Sequence, residues 1–364
     1  MLKIPTRAMS HRCDLCADAR VTPLIEFGAH PIAHHFLNDP AQAEYTHPVT
    51  LGFCEACGLT KGSTVFETGS NDSTFLAALR ERGFTKLPGL EPAQDAVTAA
   101  RKLGVETVRA YFTPTVAREL AASFGQCDLF IMRQVLEHVT NLPEFAGAMR
   151  VMLRPGARVL AEVPDFDFNQ TAPYYSAIWE EQVNYFTADT LTRFLNDVGV
   201  EVTRVETAMS SGQVLIAVGT YTGNHIAPKA AAVQESRAKG FAYRDRWPKF
   251  CVGLHAYLEA KGGWKIALYG AGCRSSSLIN YTGLSSRLAF AVDNQPEKQG
   301  KLMPGSRLAV RPLDALLQQD VGLCLLAVNK EKVIARHGEY LRRRGRFVSM
   351  HSPSPRLSAD WNTV

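Results

Sequence analysis

The fold is decided by Ser63-Thr64-Val65-Phe66-Glu67-Thr68-Gly69-Ser70-Asn71-Asp72-Ser73. β-Branched and aromatic residues lead up to an acid, Gly69 permits a tight turn, and the short polar residues after it suit the start of a helix. The stretch therefore reads as a buried strand over 63–69 and a helix from 73 to about 82. The alternation continues with strand 87–91, helix 93–103, strand 106–109, helix 115–122, strand 128–133, helix 143–153, strand 157–163 and helix 188–198. Strand and helix in turn predict a parallel, doubly wound sheet. Two strands with no helix between them, 201–207 and 213–220, predict a closing antiparallel hairpin and bring the sheet to seven strands.

Further along, residues 229–261 have helical spacing, would extend about 50 Å if continuous, and read as a connector packing one domain on the next. A second alternation, with strands at 264–270, 288–293, 322–327 and 346–350, predicts a smaller Rossmann-like sheet. Residues up to Gly62 are rich in Pro, His and Cys and lack long-range periodicity, as in a module stapled by metal in place of a core. The expected fold class is α/β: an N-terminal zinc-binding module at 1–62, a central seven-stranded Rossmann-like domain at 63–222, and a C-terminal Rossmann-like domain at 223–364 that starts with the long helix.

The 364 residues suit two or three domains, and 46% hydrophobic against 21% charged residues excludes a disordered or fibrous chain. Forty Lys and Arg against 35 Asp and Glu give +5, spread along the chain, so no nucleic-acid surface is expected and Arg342-Arg343-Arg344 reads as a solvated helix end. The opening MLKIPTRAMSHRC lacks the apolar stretch of a signal peptide, and no window of about 18 uninterrupted apolar residues occurs. The expectation is a cytoplasmic protein, a monomer or small homo-oligomer, that acts on a small molecule and binds no membrane.

Four of the eight cysteines form two identical pairs, Cys13-x-x-Cys16 and Cys54-x-x-Cys57, separated by 37 residues. Each knuckle presents two thiolates to one point, and two knuckles complete the tetrahedron Zn²⁺ prefers, with no position open for water. The expected zinc is therefore structural. A redox dithiol is the competing reading, although such a motif would occur once and open a helix. His30, His34 and His35 lie between the knuckles as substitute ligands.

At the first strand–helix turn, Glu67 ends the strand and Gly69 lets backbone N–H groups approach a ligand at the carboxyl edge of the sheet. G-x-G-x-x-G is absent, so a dinucleotide pyrophosphate lacks its cradle. The E-x-G turn suits S-adenosylmethionine, which has no phosphate. Glu91 ends the second strand, 24 residues after Glu67, where a carboxylate takes both ribose hydroxyls. Taken singly, each acid also reads as a solvated strand end; in register, they favour a cofactor site.

The sequence resembles the zinc-containing class I methyltransferases that C-methylate nucleotide-linked deoxy-keto-sugars. The resemblance covers nearly the whole chain. It rests on the C-x-x-C pairs with Cys57-Gly58-Leu59, on Glu67-Thr68-Gly69-Ser70-Asn71-Asp72, on Gly89-Leu90-Glu91-Pro92, on Arg133-Gln134-Val135-Leu136-Glu137-His138-Val139 and on Tyr185-Phe186-Thr187. In the C-terminal part it rests on Tyr269-Gly270-Ala271-Gly272-Cys273-Arg274, on residues 292–300 and on Met303-Pro304-Gly305. It implies a SAM-dependent methyltransferase with cofactor contacts at Glu67, Gly69, Asn71 and Glu91, extended by neighbouring Asp72 and Pro92. The turn after the fourth strand lies beside the adenosyl pocket, so Arg133, Gln134 and Glu137 are placed to touch cofactor or substrate. His138 has two readings, a base or an orienting, hydrogen-bonded residue.

In the family, a Tyr-x-Glu-His-x-x-Tyr-Phe segment after the fifth strand supplies the acid/base group. Here it reads Trp179-Glu180-Glu181-Gln182-Val183-Asn184-Tyr185-Phe186, and Gln182 stands where the family has His. An amide takes no proton at neutral pH, so the family base does not carry over. The aromatic-rich lid between Cys57 and Glu67 is also missing. Two readings follow. In one, Glu181 or Glu180, partly buried beside Trp179 and Tyr185, has a raised pKa and acts as base; in the other, the acceptor is a hydroxyl or amine that needs only positioning. A blander alternative leaves both Glu residues exposed and Gln182 filling space.

The turn Gly270-Ala271-Gly272 with Arg274 suits an anion at a helix start. The resemblance assigns it to the nucleotide part of a sugar substrate; a packing turn with no ligand is the competing reading. Asp293, ending the next strand, is placed to reach a ribose, and Lys298 reads as a phosphate contact or a solvent residue. Two further function classes stay open: a catalytically degenerate protein that binds SAM or a sugar nucleotide without turnover, and a nicotinamide oxidoreductase built on Gly270-Ala271-Gly272.

Overall fold

The computed structural model describes residues 59–171, 174–209, 213–227, 230–327 and 337–349, together with the backbone of 21–31 and 46–54. The last two segments are strands β1 (Val21–Pro31) and β2 (Thr46–Cys54), an antiparallel pair in which Cys54 stands opposite Val21. Cys13, Cys16 and Cys57 lie outside the described residues.

The chain separates into two compact units, one of residues 1–163 and 191–227, the other of 164–190 and 228–364. Segment 164–190, inside the span 63–222 in the sequence reading, thus groups with the C-terminal residues.

In the first unit, β3 (Val65–Thr68), α1 (Thr74–Glu81), β4 (Gly89–Leu90), α2 (Gln94–Lys102), β5 (Thr107–Val108), α3 (Pro114–Phe124), β6 (Cys127–Arg133), α4 (Leu142–Met152) and β7 (Leu153–Pro164) alternate as expected. Helix α5 (Phe166–Thr171) begins the 164–190 segment, and α6 (Ala188–Val198) closes it and leads into the antiparallel strands β8 (Val200–Met209) and β9 (Gln213–Tyr221). The seven strands run β5-β4-β3-β6-β7-β9-β8, parallel from β5 to β7. Strand order reverses between β3 and β6, and in sheets of this kind the ligand crevice opens at the carboxyl ends of the strands on either side of that reversal. Val65, Leu76, Leu87, Val105 and Ile131 form one of the buried clusters beneath it. Helices α3 and α4 begin on caps the sequence supplies: Thr113 Oγ1 accepts from the Val116 N–H (3.3 Å) and Asn141 Oδ1 from the Glu144 N–H (3.2 Å).

In the second unit, α7 (Ala230–Glu259) is a helix of 30 residues. Tyr243, Phe250, Leu254, Tyr257 and Leu258 bury one of its faces in the unit's own core, so it is a structural part of this unit. After it come β10 (Lys265–Tyr269), α8 (Cys273–Thr282), β11 (Phe290–Val292), β12 (Val310–Arg311), α9 (Ala315–Gln318), β13 (Val321–Leu326), α10 (Gly338–Arg342) and β14 (Arg346–Ser349). The sheet is parallel, ordered β12-β11-β10-β13-β14, and its order reverses between β10 and β13. The two-residue strand β12 was not expected from the sequence.

Candidate cofactor and acceptor sites

Glu67, one residue before the end of β3, is fully buried. Both Nε and Nη2 of Arg133, at the end of neighbouring β6, donate to its Oε1, at 2.8 and 2.7 Å. Its Oε2 is buried and has no hydrogen-bond partner among the described residues. Burial pushes the carboxyl up to about 7; Arg133 pulls it back and the charges of Asp72 and Glu162 add to the rise.

The turn after β3 winds through left-handed residues, Gly69 at φ 64°, Asn71 at 51° and Ser73 at 58°. A Cβ on Gly69 would lie 2.3 Å from Cγ2 of Val135, so glycine is required for conformation and space alike. Glu91 holds the turn from the next strand: Oε2 accepts from the Asn71 N–H at 3.0 Å and Oε1 from the Ala93 N–H at 2.9 Å. Asp72 is exposed, and its carboxylate accepts from the Thr74 N–H at 3.1 Å, at the start of α1. The Pro92 carbonyl accepts from Arg109 Nε at 3.4 Å.

The turn beyond β6 completes this edge. Gln134, at φ 55°, donates its N–H to the Glu162 carbonyl at 2.8 Å and its amide Nε2 to Oε1 of Glu162 at 3.2 Å. Glu137 is buried, and neither of its oxygens has a hydrogen-bond partner among the described residues. Burial pushes it too up to about 7, its own N–H pulling weakly the other way and the Glu162 charge adding to the rise. The neighbouring His138 is exposed. The sequence reading placed Glu137 beside cofactor or substrate; its burial without a hydrogen-bond partner among the described residues, and a carboxyl raised as far as that of Glu67, carry no sequence signal.

In the second unit the same construction recurs. Gly270 (φ 98°) follows β10, and Asp293, buried at the end of β11, accepts from the Ala271 N–H (Oδ2, 2.8 Å) and from the Gln295 N–H (Oδ1, 3.0 Å). This repeats the frame of Glu91: one oxygen on the first turn, the other on the N–H two residues along. Lys298 Nζ lies 3.5 Å from Asp293 Oδ2. Ser275 Oγ donates to the Gly270 carbonyl at 2.6 Å and tightens the turn, while Gly272 and Arg274 flank the start of α8.

The segment 179–186 also lies in this unit. Gln182 is buried, its N–H bonded to the Trp179 carbonyl at 3.1 Å, and the Tyr185 hydroxyl accepts from the Trp179 N–H at 3.2 Å. Burial raises the Tyr185 phenol above its usual range. Glu180 and Glu181 are both exposed, which corrects the expected burial beside Trp179 and Tyr185: they occupy a turn that directs them outward while Gln182 points in. Glu180 is nonetheless held, accepting through Oε2 from the buried Ser277 hydroxyl of α8 at 3.1 Å, a contact the sequence carries no signal for.

Three family models match in order along the chain: "Putative zinc binding domain" at residues 13–68, "Methyltransferase domain" at 43–205 and "C-methyltransferase C-terminal domain" at 242–351. With the doubly wound sheet and its carboxyl-edge acids, they define the class, an S-adenosylmethionine-dependent methyltransferase. A particular relative is C-methyltransferase NovU of Streptomyces niveus, to which the chain is 29% identical over 325 residues, 85% of this chain and 77% of that one. Among solved structures, a possible histamine N-methyltransferase of Thermotoga maritima is 17% identical, with TM-score 0.33, covering 46% of this chain and 84% of that one. A SAM-dependent methyltransferase of Methanosarcina mazei is 13% identical, with TM-score 0.37, covering 44% and 93%. No described helix is long and apolar enough to cross a membrane.

Proposed function

We propose that the chain transfers the methyl group of S-adenosylmethionine to a nucleotide-linked sugar, at carbon by likeness to its C-methyltransferase relative, with oxygen or nitrogen as the acceptor if no base is recruited. The observation that carries this reading is the acid–turn frame built twice, around Glu91 and around Asp293. One frame serves the cofactor's nucleoside and the other the substrate's.

The first unit fits the cofactor: an orphaned buried oxygen on Glu67 suits an ammonium, and Gly69 lets the turn that bears it pack closely on Val135. When bound, the cofactor supplies an electrophilic methyl on a sulfonium. Glu67 takes the ammonium, Glu91 orients the ribose hydroxyls, and the Asn71 N–H keeps Glu91 in place. In the second unit, Asp293 takes the ribose of the substrate, Lys298 and Arg274 its phosphates, and Trp179 flanks the sugar. The acceptor's proton passes to Glu180 or Glu181, since the Gln182 amide has no basic lone pair at neutral pH. Of the two, Glu180 has its geometry set by Ser277.

Zinc belongs to the 1–62 module, where Cys13, Cys16, Cys54 and Cys57 offer a closed four-thiolate set that holds the chain together and leaves no site for chemistry. Calorimetry on zinc-replete protein, titrated separately with S-adenosylmethionine and with thymidine- and uridine-diphosphate sugars, tests the whole reading. Binding of both, followed by methylated product, supports it. Binding of the cofactor alone removes the sugar nucleotide, and cofactor binding without turnover of any acceptor favours a degenerate binding protein.

A further inference from the structure

Arg133 lies over Glu67 and hides it. Its side chain is 34% exposed and the carboxylate beneath is 0% exposed. Both donors that reach Glu67 come from one edge of the guanidinium and converge on a single oxygen. Phe75 packs on the flat side, with its ring centre 4.4 Å from the guanidinium carbon, which holds the plane in place. Of the five N–H groups of an arginine fork, only those two are engaged in a described hydrogen bond or ion pair; the outer edge stays available.

A fixed cation and a buried anion thus stand side by side at the carboxyl ends of adjacent strands, at the point where strand order reverses. Amino-acid ends of ligands are zwitterions, and this pair is the mirror of one. We propose that Arg133 reads the α-carboxylate of S-adenosylmethionine: its outer edge forks onto the two carboxylate oxygens while the ammonium meets Glu67. The two guanidinium donors leave Oε2 of Glu67 for that ammonium. The inference rests on the S-adenosylmethionine reading above. It assigns to Arg133 the selection of the intact amino-acid form of the cofactor over a decarboxylated one.

The test needs no acceptor. The full-length protein is titrated by calorimetry with S-adenosylmethionine, decarboxylated S-adenosylmethionine and methylthioadenosine, which lacks the amino-acid end. Wild type is expected to prefer S-adenosylmethionine over the decarboxylated form by roughly 10- to 100-fold, the range of charge-assisted hydrogen bonds. In Arg133→Gln that preference shrinks to about threefold or less while methylthioadenosine binds as before, which also shows that the variant is folded; Arg133→Lys, charged but without the fork, falls between. A preference kept in R133Q, or an equal loss for all three ligands, overturns the inference. Wild type binding both cofactor forms equally overturns it and leaves the S-adenosylmethionine reading standing. Wild type binding none of the three removes both.

Discussion

If Glu67 meets the cofactor's ammonium, cofactor affinity must follow the Glu67 proton. Burial pushes the carboxyl up to about 7, so at pH 6 about nine molecules in ten carry a proton that must leave before the charges can pair. Binding should release about 0.9 proton at pH 6, and affinity should fall about tenfold for each pH unit below 7, reaching roughly 100-fold, or about 2.7 kcal/mol, at pH 5. The opposite limb belongs to the cofactor, whose α-amine loses its charge near pH 8. The optimum thus lies in the narrow interval between the two. Calorimetry in two buffers of different ionisation enthalpy measures both affinity and proton count. Glu67→Gln keeps the shape and an acceptor for Arg133 but has no proton to release. It should lower affinity at pH 7.5 by about tenfold or more and remove the acid limb. An acid limb that persists in E67Q, or a wild-type affinity that is level from pH 5 to 7, refutes the assignment.

Glu137 makes a stability prediction of definite sign. Its folded-state pKa of about 7 lies above its usual 4.5, so the stability it contributes when protonated is present below pH 4.5 and is lost as pH rises through 7, about 3 kcal/mol in all. In denaturant melts, Glu137→Gln should match wild type near pH 4.5 and exceed it at pH 8; equal pH dependence in the two proteins would remove the argument. Gly69→Ala drives a Cβ into Val135 at a left-handed φ and should cost about 1–3 kcal/mol together with cofactor binding. Adding Val135→Ala should restore part of it, and a variant that binds and melts like wild type contradicts the close approach. Elemental analysis should find one zinc per chain, lost in Cys54→Ser, with a lower melting temperature; a metal-free wild type of equal stability would dismiss the zinc module.

Regular elements were legible where one pattern repeats. Helix α6 has its predicted bounds because Leu191, Leu195 and Val198 recur at helical spacing, and the buried β6 stands out as an apolar run. Strand β12, two residues long, has no period to detect. The β1 and β2 strands were hidden by Pro23, Gly28, Pro31 and Pro48, which break the alternation a strand shows. At the sites, Glu67 and Glu91 were visible because a strand end determines where they sit. Sequence adjacency to aromatic residues suggested burial for Glu180 and Glu181, but burial is decided by the direction of a turn, and the turn points them out. The same limit applies at Glu137 and His138: neighbours in sequence, one buried and one exposed, with nothing in the local composition to say which.

The two acid–turn frames share their backbone bonds and differ in the charges around them. Each carboxylate oxygen already accepts one N–H and keeps a lone pair, so the bonds that orient the acid leave it able to accept from a hydroxyl. Around Glu91 no cation forms an ion pair among the described residues, and the proposed ligand of that unit has no phosphate. Asp293 has Lys298 at 3.5 Å, about a third exposed, beside a glycine turn at the start of α8. A lysine beside an acid would weaken a site built for a neutral nucleoside alone, because it draws the carboxylate toward itself. It becomes useful where the ligand brings negative charge of its own, as a sugar diphosphate does, for the ligand then draws the ammonium outward and leaves the carboxylate to the ribose. The charge difference between two otherwise matching frames thus supports a cofactor without phosphate in one unit and a nucleotide in the other.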